Sequence, residues 1–94
     1  METSHYVYIL KCRDGTYYHG YTKDLKKRLS QHQAGESRPT RRKLPLELVY
    51  FETFTNKTDA MRRERQLKNG RTRKKTKEKL IQDFPRAKLL PFQE

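Results

Sequence analysis

The sequence predicts an α/β domain: a small three-stranded sheet flanked by helices, in the order strand, strand, helix, strand, helix, helix. Three observations predict it. Short runs rich in Tyr, Val, Ile and Phe alternate as strands do and are closed by turn residues. Longer stretches with helical spacing lie between capping residues and glycines. The length, 94 residues, leaves room for one modest core, because a chain this short buries only about 60–65% of its unfolded surface.

Each element has a local reason. Residues 5–13 (His-Tyr-Val-Tyr-Ile-Leu-Lys-Cys-Arg) are aromatic and β-branched and read as a strand. Asp14-Gly15 is a hairpin turn signal, and residues 16–22 form the second strand, interrupted by Gly20. A glycine inside a strand marks a bulge or the close approach of another group. Two registers are open. If Asp14 and Gly15 alone make the loop, residue 13 pairs with 16, and Tyr8 and Tyr18 face opposite ways. If Arg13, Asp14 and Gly15 make a three-residue loop with Gly15 left-handed, Tyr8 lies opposite Gly20 and Leu10 opposite Tyr18, so both tyrosines share a face. We expect the second. A helix follows over residues 24–34, capped by Thr22 or Asp24 and ended by Gly35. Residues 36–44 are basic, hold Pro39 and read as a loop; residues 46–53 give the third strand. Asn56 or Thr58 caps a second helix that runs to Asn69 with Gly70 as its stop. Thr72 caps a third helix that runs to Asp83. Residues 1–84 are thus one domain, and residues 85–94, with two prolines and no period, are expected to be a loose tail.

Charge points to the partner. The formal net charge is +12, with 23 Lys or Arg against 11 Asp or Glu. Such an excess repels itself unless something anionic binds. Nucleic acid fits; an anionic membrane surface normally requires an amphipathic helix with a broad apolar face. High charge with few apolar residues is also the signature of disorder, but six Tyr and four Phe in strand-like segments argue against it. Residues 62–79 hold ten Lys or Arg and two acids, an electrostatic footprint for phosphates. No apolar run reaches the ~20 residues of a membrane span. The single cysteine, Cys12, cannot form an intramolecular disulfide, and no secretory signal is visible, so a cytoplasmic protein is expected.

Two helices carry polar residues where a core stripe belongs. In the first, Leu25, Arg28, Leu29 and His32 fall on one face. Arg28 can snorkel with its stem on the core, and His32 can be a hydrogen-bonded structural histidine. In the second, Glu64 lies within the arc of Ala60, Met61 and Leu67. A carboxylate there is costly unless it is paired or holds a cation. A salt bridge to Arg28 or another base and a metal site both satisfy that demand, and spacing does not choose between them.

Together these residues resemble the GIY-YIG nuclease family, over roughly residues 5–82. The first motif stands as Tyr6-Val7-Tyr8, the second as Tyr18-His19-Gly20. Arg28 and His32 follow one turn apart, and Glu64 comes in a basic helix after the third strand. The chain looks most like the small stand-alone bacterial members. Its first-motif glycine is replaced by Tyr6, and the asparagine that some members use downstream of the glutamate has no counterpart. The resemblance implies a three-stranded antiparallel sheet and a metal-dependent endonuclease that hydrolyses phosphodiester bonds, with DNA favoured over RNA. It implies selection by structure rather than sequence, a role in repair or recombination, and Mg²⁺ or another divalent cation on Glu64. Tyr8, Tyr18, Arg28, His32 and Glu64 are then the catalytic residues, with either tyrosine able to serve as the base. Lys27, Arg41, Arg42, Lys43, Arg63, Lys68, Arg71, Arg73, Lys74 and Lys75 would bind flanking phosphates. Larger relatives carry a targeting domain for which this chain has no room, so specificity would come from the basic surface, substrate shape or a protein partner. The other reading is a nucleic-acid-binding module of the same fold with little or no activity; a binder of acidic proteins is a third.

Overall fold

The structure, a computed structural model, describes residues 4–68 and 74–92. Strands β1 (His5–Lys11) and β2 (Tyr17–Thr22) form the opening hairpin, followed by α1 (Leu25–Gln33), β3 (Glu47–Phe54), α2 (Lys57–Lys68) and α3 (Lys74–Asp83). β1 is central: the sheet order is β2-β1-β3, and both pairings are antiparallel. The hairpin closes on the longer loop. Cys12 N–H donates to the Thr16 carbonyl at 2.8 Å, and Gly15 takes a φ of +85°, which a side chain would strain. Tyr8 therefore pairs with Gly20 and Leu10 with Tyr18.

Helix ends follow their caps. Asp24 Oδ1 accepts the Lys27 backbone N–H at 3.0 Å, which settles the first cap. Asn56 Oδ1 accepts the Asp59 N–H at 2.8 Å at the start of α2. Gly70 and Thr72, expected to end α2 and cap α3, lie outside the described residues.

The sheet separates two apolar layers. On one face, Tyr8, Leu10 and Leu48 pack with Leu25 and Leu29 of α1. On the other, Val7, Ile9, Val49 and Tyr50 pack with Ala60 and Leu67 of α2, with Leu80 and Ile81 of α3 alongside. A shift in register between Ile9 and Leu10, where Ile9 pairs with Tyr50 and Leu10 with Leu48, puts Val49 and Tyr50 in the same layer. The segment beyond Pro85, expected to be loose, is folded over the α1 side as two 3-10 turns, Arg86–Lys88 and Leu90–Phe92. Leu89 is buried there, and Phe92 meets Phe51 edge to face at 5.4 Å. Apolar residues in a stretch too short to show a period account for the difference.

Candidate active site

Strand alternation aims Tyr8 and Tyr18 at the α1 side of the sheet. Tyr8 lies on the central strand and is 0% exposed. Its ring lies across Gly20: a Cβ at that position would stand 2.4 Å from the Tyr8 Cζ and hydroxyl. Tyr18 is half-buried beside it, with ring centroids 6.4 Å apart. From α1, His32 closes the group, 5.9 Å from the Tyr8 ring and 5.2 Å from the Tyr18 ring. His32 Nε2 is 3.0 Å from the Tyr8 hydroxyl, and Nδ1 is 2.8 Å from Thr40 Oγ1.

Burial sets the electrostatics. It pushes the Tyr8 pKa up to about 12, while the Arg28 guanidinium at its side pulls it back. Arg28 in turn is held above its ordinary value chiefly by the Tyr8 hydroxyl. Its Nη1 donates to Gln31 Oε1 at 3.2 Å, and with Tyr21, Lys27 and Gln31 it lines an open concavity. Burial and the Arg28 charge push the His32 pKa down to about 4, so its imidazole is neutral at physiological pH. Arg28, not His32, is the cation beside the phenols.

Glu64 is half-buried at a rim formed with Met61, Arg65 and Lys68. It is not inside the apolar arc, because Met61 is 37% exposed and only Ala60 and Leu67 are enclosed. Its charge reaches Tyr8, where it adds a small upward push to the pKa. Glu64 makes no ion pair with Arg28 or any other described residue. Among the described residues, no three His, Cys, Asp or Glu gather into a metal cage. A lone carboxylate suits a hard cation whose remaining ligands are water and substrate phosphate.

The basic residues divide. Lys27, Arg41, Arg42, Lys68 and Lys75 are exposed. Lys74 opens α3, and Arg71 and Arg73 lie outside the described residues. Two others are engaged elsewhere. Arg63 Nε donates to both carboxylate oxygens of Glu52, at 3.1 and 3.0 Å, and Glu52 also accepts the Tyr50 hydroxyl. Arg63 thus joins α2 to β3. Lys43 donates to Thr16 Oγ1 at 3.3 Å and lies 3.8 Å from Asp14, joining the loop to the hairpin. His19, in the middle of the second motif, pairs with Ile9 and faces away from the tyrosines. Its pKa is pushed down to about 4, by burial and then by Lys77 and Lys68. Thr40 and Gln31 are the site neighbours that sequence reasoning missed; neither sits at a spacing that marks it.

Comparisons with known proteins agree with this fold. A family model described as the GIY-YIG catalytic domain matches residues 4–79. A UPF0213 protein of Natronomonas pharaonis is 44% identical over 84 residues, 88% of this chain and 96% of that protein. A UPF0213 protein of Oceanobacillus iheyensis is 39% identical over 95 residues, covering 100% of this chain and 98% of the other. The solution NMR structure of a UPF0213 protein from Bacillus halodurans matches with a TM-score of 0.54 and 40% identity, over 84% of this chain and 83% of that one.

Proposed function

The chain belongs to the GIY-YIG catalytic domain family, and from that premise we propose that it is a divalent-metal-dependent endonuclease that hydrolyses phosphodiester bonds in DNA. One observation carries the reading. Tyr8, Tyr18, Arg28 and His32 meet on one face, and Glu64 stands within electrostatic reach of Tyr8 with no cation paired to it among the described residues. A plain core would not gather two phenols, an imidazole and a guanidinium.

Hydrolysis requires a water to lose a proton, attack phosphorus in line and expel an alkoxide. Tyr8 is placed to position that water or take its proton, with Arg28 offsetting the burial that otherwise keeps the phenol protonated. Arg28 also presents a planar fork to the phosphate oxygens as charge builds on them. Tyr18, less buried, orients phosphate or water by hydrogen bonding. Glu64 is the residue to hold Mg²⁺, which when bound supplies charge neutralisation on the phosphate and the leaving oxygen. Lys27, Arg41, Arg42, Lys68 and Lys75 hold flanking phosphates without reading bases. The substrate is accordingly chosen by shape, as a repair or recombination intermediate would be, with a protein partner available for targeting.

The test is a cleavage assay on linear, nicked and branched DNA, with and without Mg²⁺, comparing the wild-type chain with Glu64→Ala. We expect metal-dependent cutting that the substitution lowers by at least about a hundredfold, with DNA binding retained. Equal cutting by the variant overturns the assignment of Glu64. Binding without cutting by the wild type replaces the enzyme with a binding module.

A further inference from the structure

The cations of α2 do not share one direction. Ala60 and Leu67 are buried against the sheet, and Arg63, on the same side, is held by Glu52. At about 100° per residue, Lys57, Met61, Arg65 and Lys68 form a stripe turned away from that contact, with Arg62 beside it. All five are exposed, and half-buried Glu64 stands at the inner border of the stripe. Lys57, Arg62, Arg65 and Lys68 make no ion pair with any described residue. The acids of the helix do not answer this charge. Asp59 belongs to the cap, where its Oδ2 accepts from Asn56 Nδ2 at 2.9 Å, and Glu64 is unpaired among the described residues.

This face is furrowed as well as charged. Lys57, Thr58, Met61, Arg62 and Arg65 line an open concavity of about 460 Å³. Met61, Glu64, Arg65 and Lys68 line a second of about 300 Å³. Met61 and Arg65 belong to both, so the two run together and reach Glu64. From Lys57 to Lys68 the helix rises about 17 Å, at about 1.5 Å per residue. One strand of a duplex covers that distance in roughly five nucleotides, at about 3.4 Å each.

A row of unpaired cations fits a polyanion whose charges recur at short intervals. The apolar surface among them is Met61 alone, too little to enter a lipid surface. We propose that the outward face of α2 is a track for one nucleic-acid strand, on which Lys57, Arg62, Arg65 and Lys68 each hold a backbone phosphate. Arg63, expected from the sequence as a phosphate contact, is the cation of this helix turned away from the track. That the track delivers the strand to the metal-holding Glu64 rests on the nuclease reading above; the track itself does not.

Salt-dependent binding by the full chain tests this, on non-cleaved DNA without Mg²⁺. The wild type is compared with the triple variant Lys57→Gln, Arg62→Gln and Arg65→Gln. A control loses the same charge elsewhere, at the exposed Lys11, Arg86 and Lys88, each changed to Gln. Glutamine is a good helix former, so α2 should persist in circular dichroism. We expect the α2 variant to lower the slope of log K against log salt by about 2–3 on duplex, at about 0.9 per phosphate. Arg65→Gln alone, at the junction of the two concavities, should remove about one unit of that slope. The control should lower the slope by less than about one unit. Equal losses in the two triple variants overturn the proposal, because net charge and not a track would then govern binding. So does an unchanged slope in the α2 variant. So does loss of binding to phosphatidylserine vesicles in that variant while DNA binding holds, which makes the face a membrane contact. Cleavage is read separately. A wild type that never cuts, with the slopes as expected, ends the nuclease reading and keeps the track. A wild type that cuts, with an unchanged slope in the α2 variant, ends the track and keeps the nuclease reading.

Discussion

His32 and His19 occupy opposite faces of the sheet, and for both, burial pushes the pKa down to about 4. Each is neutral in the fold and takes up a proton more readily in the unfolded chain, where the ordinary value is about 6.5. Between those values the unfolded state binds more protons, so stability rises with pH across that window and is lost as pH falls through it. The expected loss from pH 7.5 to pH 5 is about 1–3 kcal/mol for the pair, discounted for the solvent that reaches the half-buried His19 ring. Urea unfolding at the two pH values measures it. His19→Gln should flatten the dependence without touching the tyrosine site, because His19 faces α2 and α3. A midpoint independent of pH would refute the neutral, buried assignment of both rings. Tyr8 behaves oppositely in charge: its pKa is raised to about 12, so it is a neutral phenol throughout this range and contributes nothing to the slope.

At the scale of elements, the β1–β2 hairpin is the device that makes the site. Its three-residue loop brings Tyr8 and Tyr18 to one face, and Gly20 leaves room for the Tyr8 ring. Gly20→Ala would place a methyl at 2.4 Å from that ring, which is wedged between Tyr18 and His32. We expect a loss of about 1–3 kcal/mol in unfolding free energy. In a Tyr8→Ala background the same change should cost at least about 1 kcal/mol less, since the clash is gone. An additive double mutant would show that the glycine matters for backbone reasons instead.

This hairpin was legible in the sequence because its signals are local: Asp14-Gly15 names the turn, strand alternation names the face, and Gly20 marks the close approach. The caps at Asp24 and Asn56 were legible for the same reason. Contacts between distant elements were not. Nothing in the helical wheel shows that Arg63 will find Glu52 on β3, so its charge read as available. The wheel placed Glu64 inside an apolar arc, yet the sheet covers only Ala60 and Leu67 and leaves Glu64 on a rim. Thr40 carries no periodic signal, and its burial against His32 depends on how the 36–44 loop folds back.

For the whole molecule the governing quantity is where the excess charge remains free. The count of 23 Lys or Arg overstates it, because Arg63 is paired with Glu52 and Lys43 lies beside Asp14. Exposed Lys27, next to Arg28 in sequence, and Arg41 and Arg42, in the loop that carries Thr40, surround the α1 side. Lys68 and Lys75 extend the charge along α2 and α3. Among the described residues, no helix is long and apolar enough to cross a membrane. Each cation that meets a phosphate releases a counterion, and log K for duplex DNA falls with log salt by about 0.9 per phosphate neutralised. We expect a steep slope for the wild-type chain on non-cleaved DNA in the absence of Mg²⁺. Replacing Arg41 and Arg42 together by Ser should lower the slope by about 2, one unit for each phosphate left without its cation, with little dependence on base sequence. The same double change should spare stability, because both side chains are exposed. A slope near zero would remove nucleic acid as the partner that the charge serves. An unchanged slope in the double variant would move the phosphate track off this loop and onto α2 and α3.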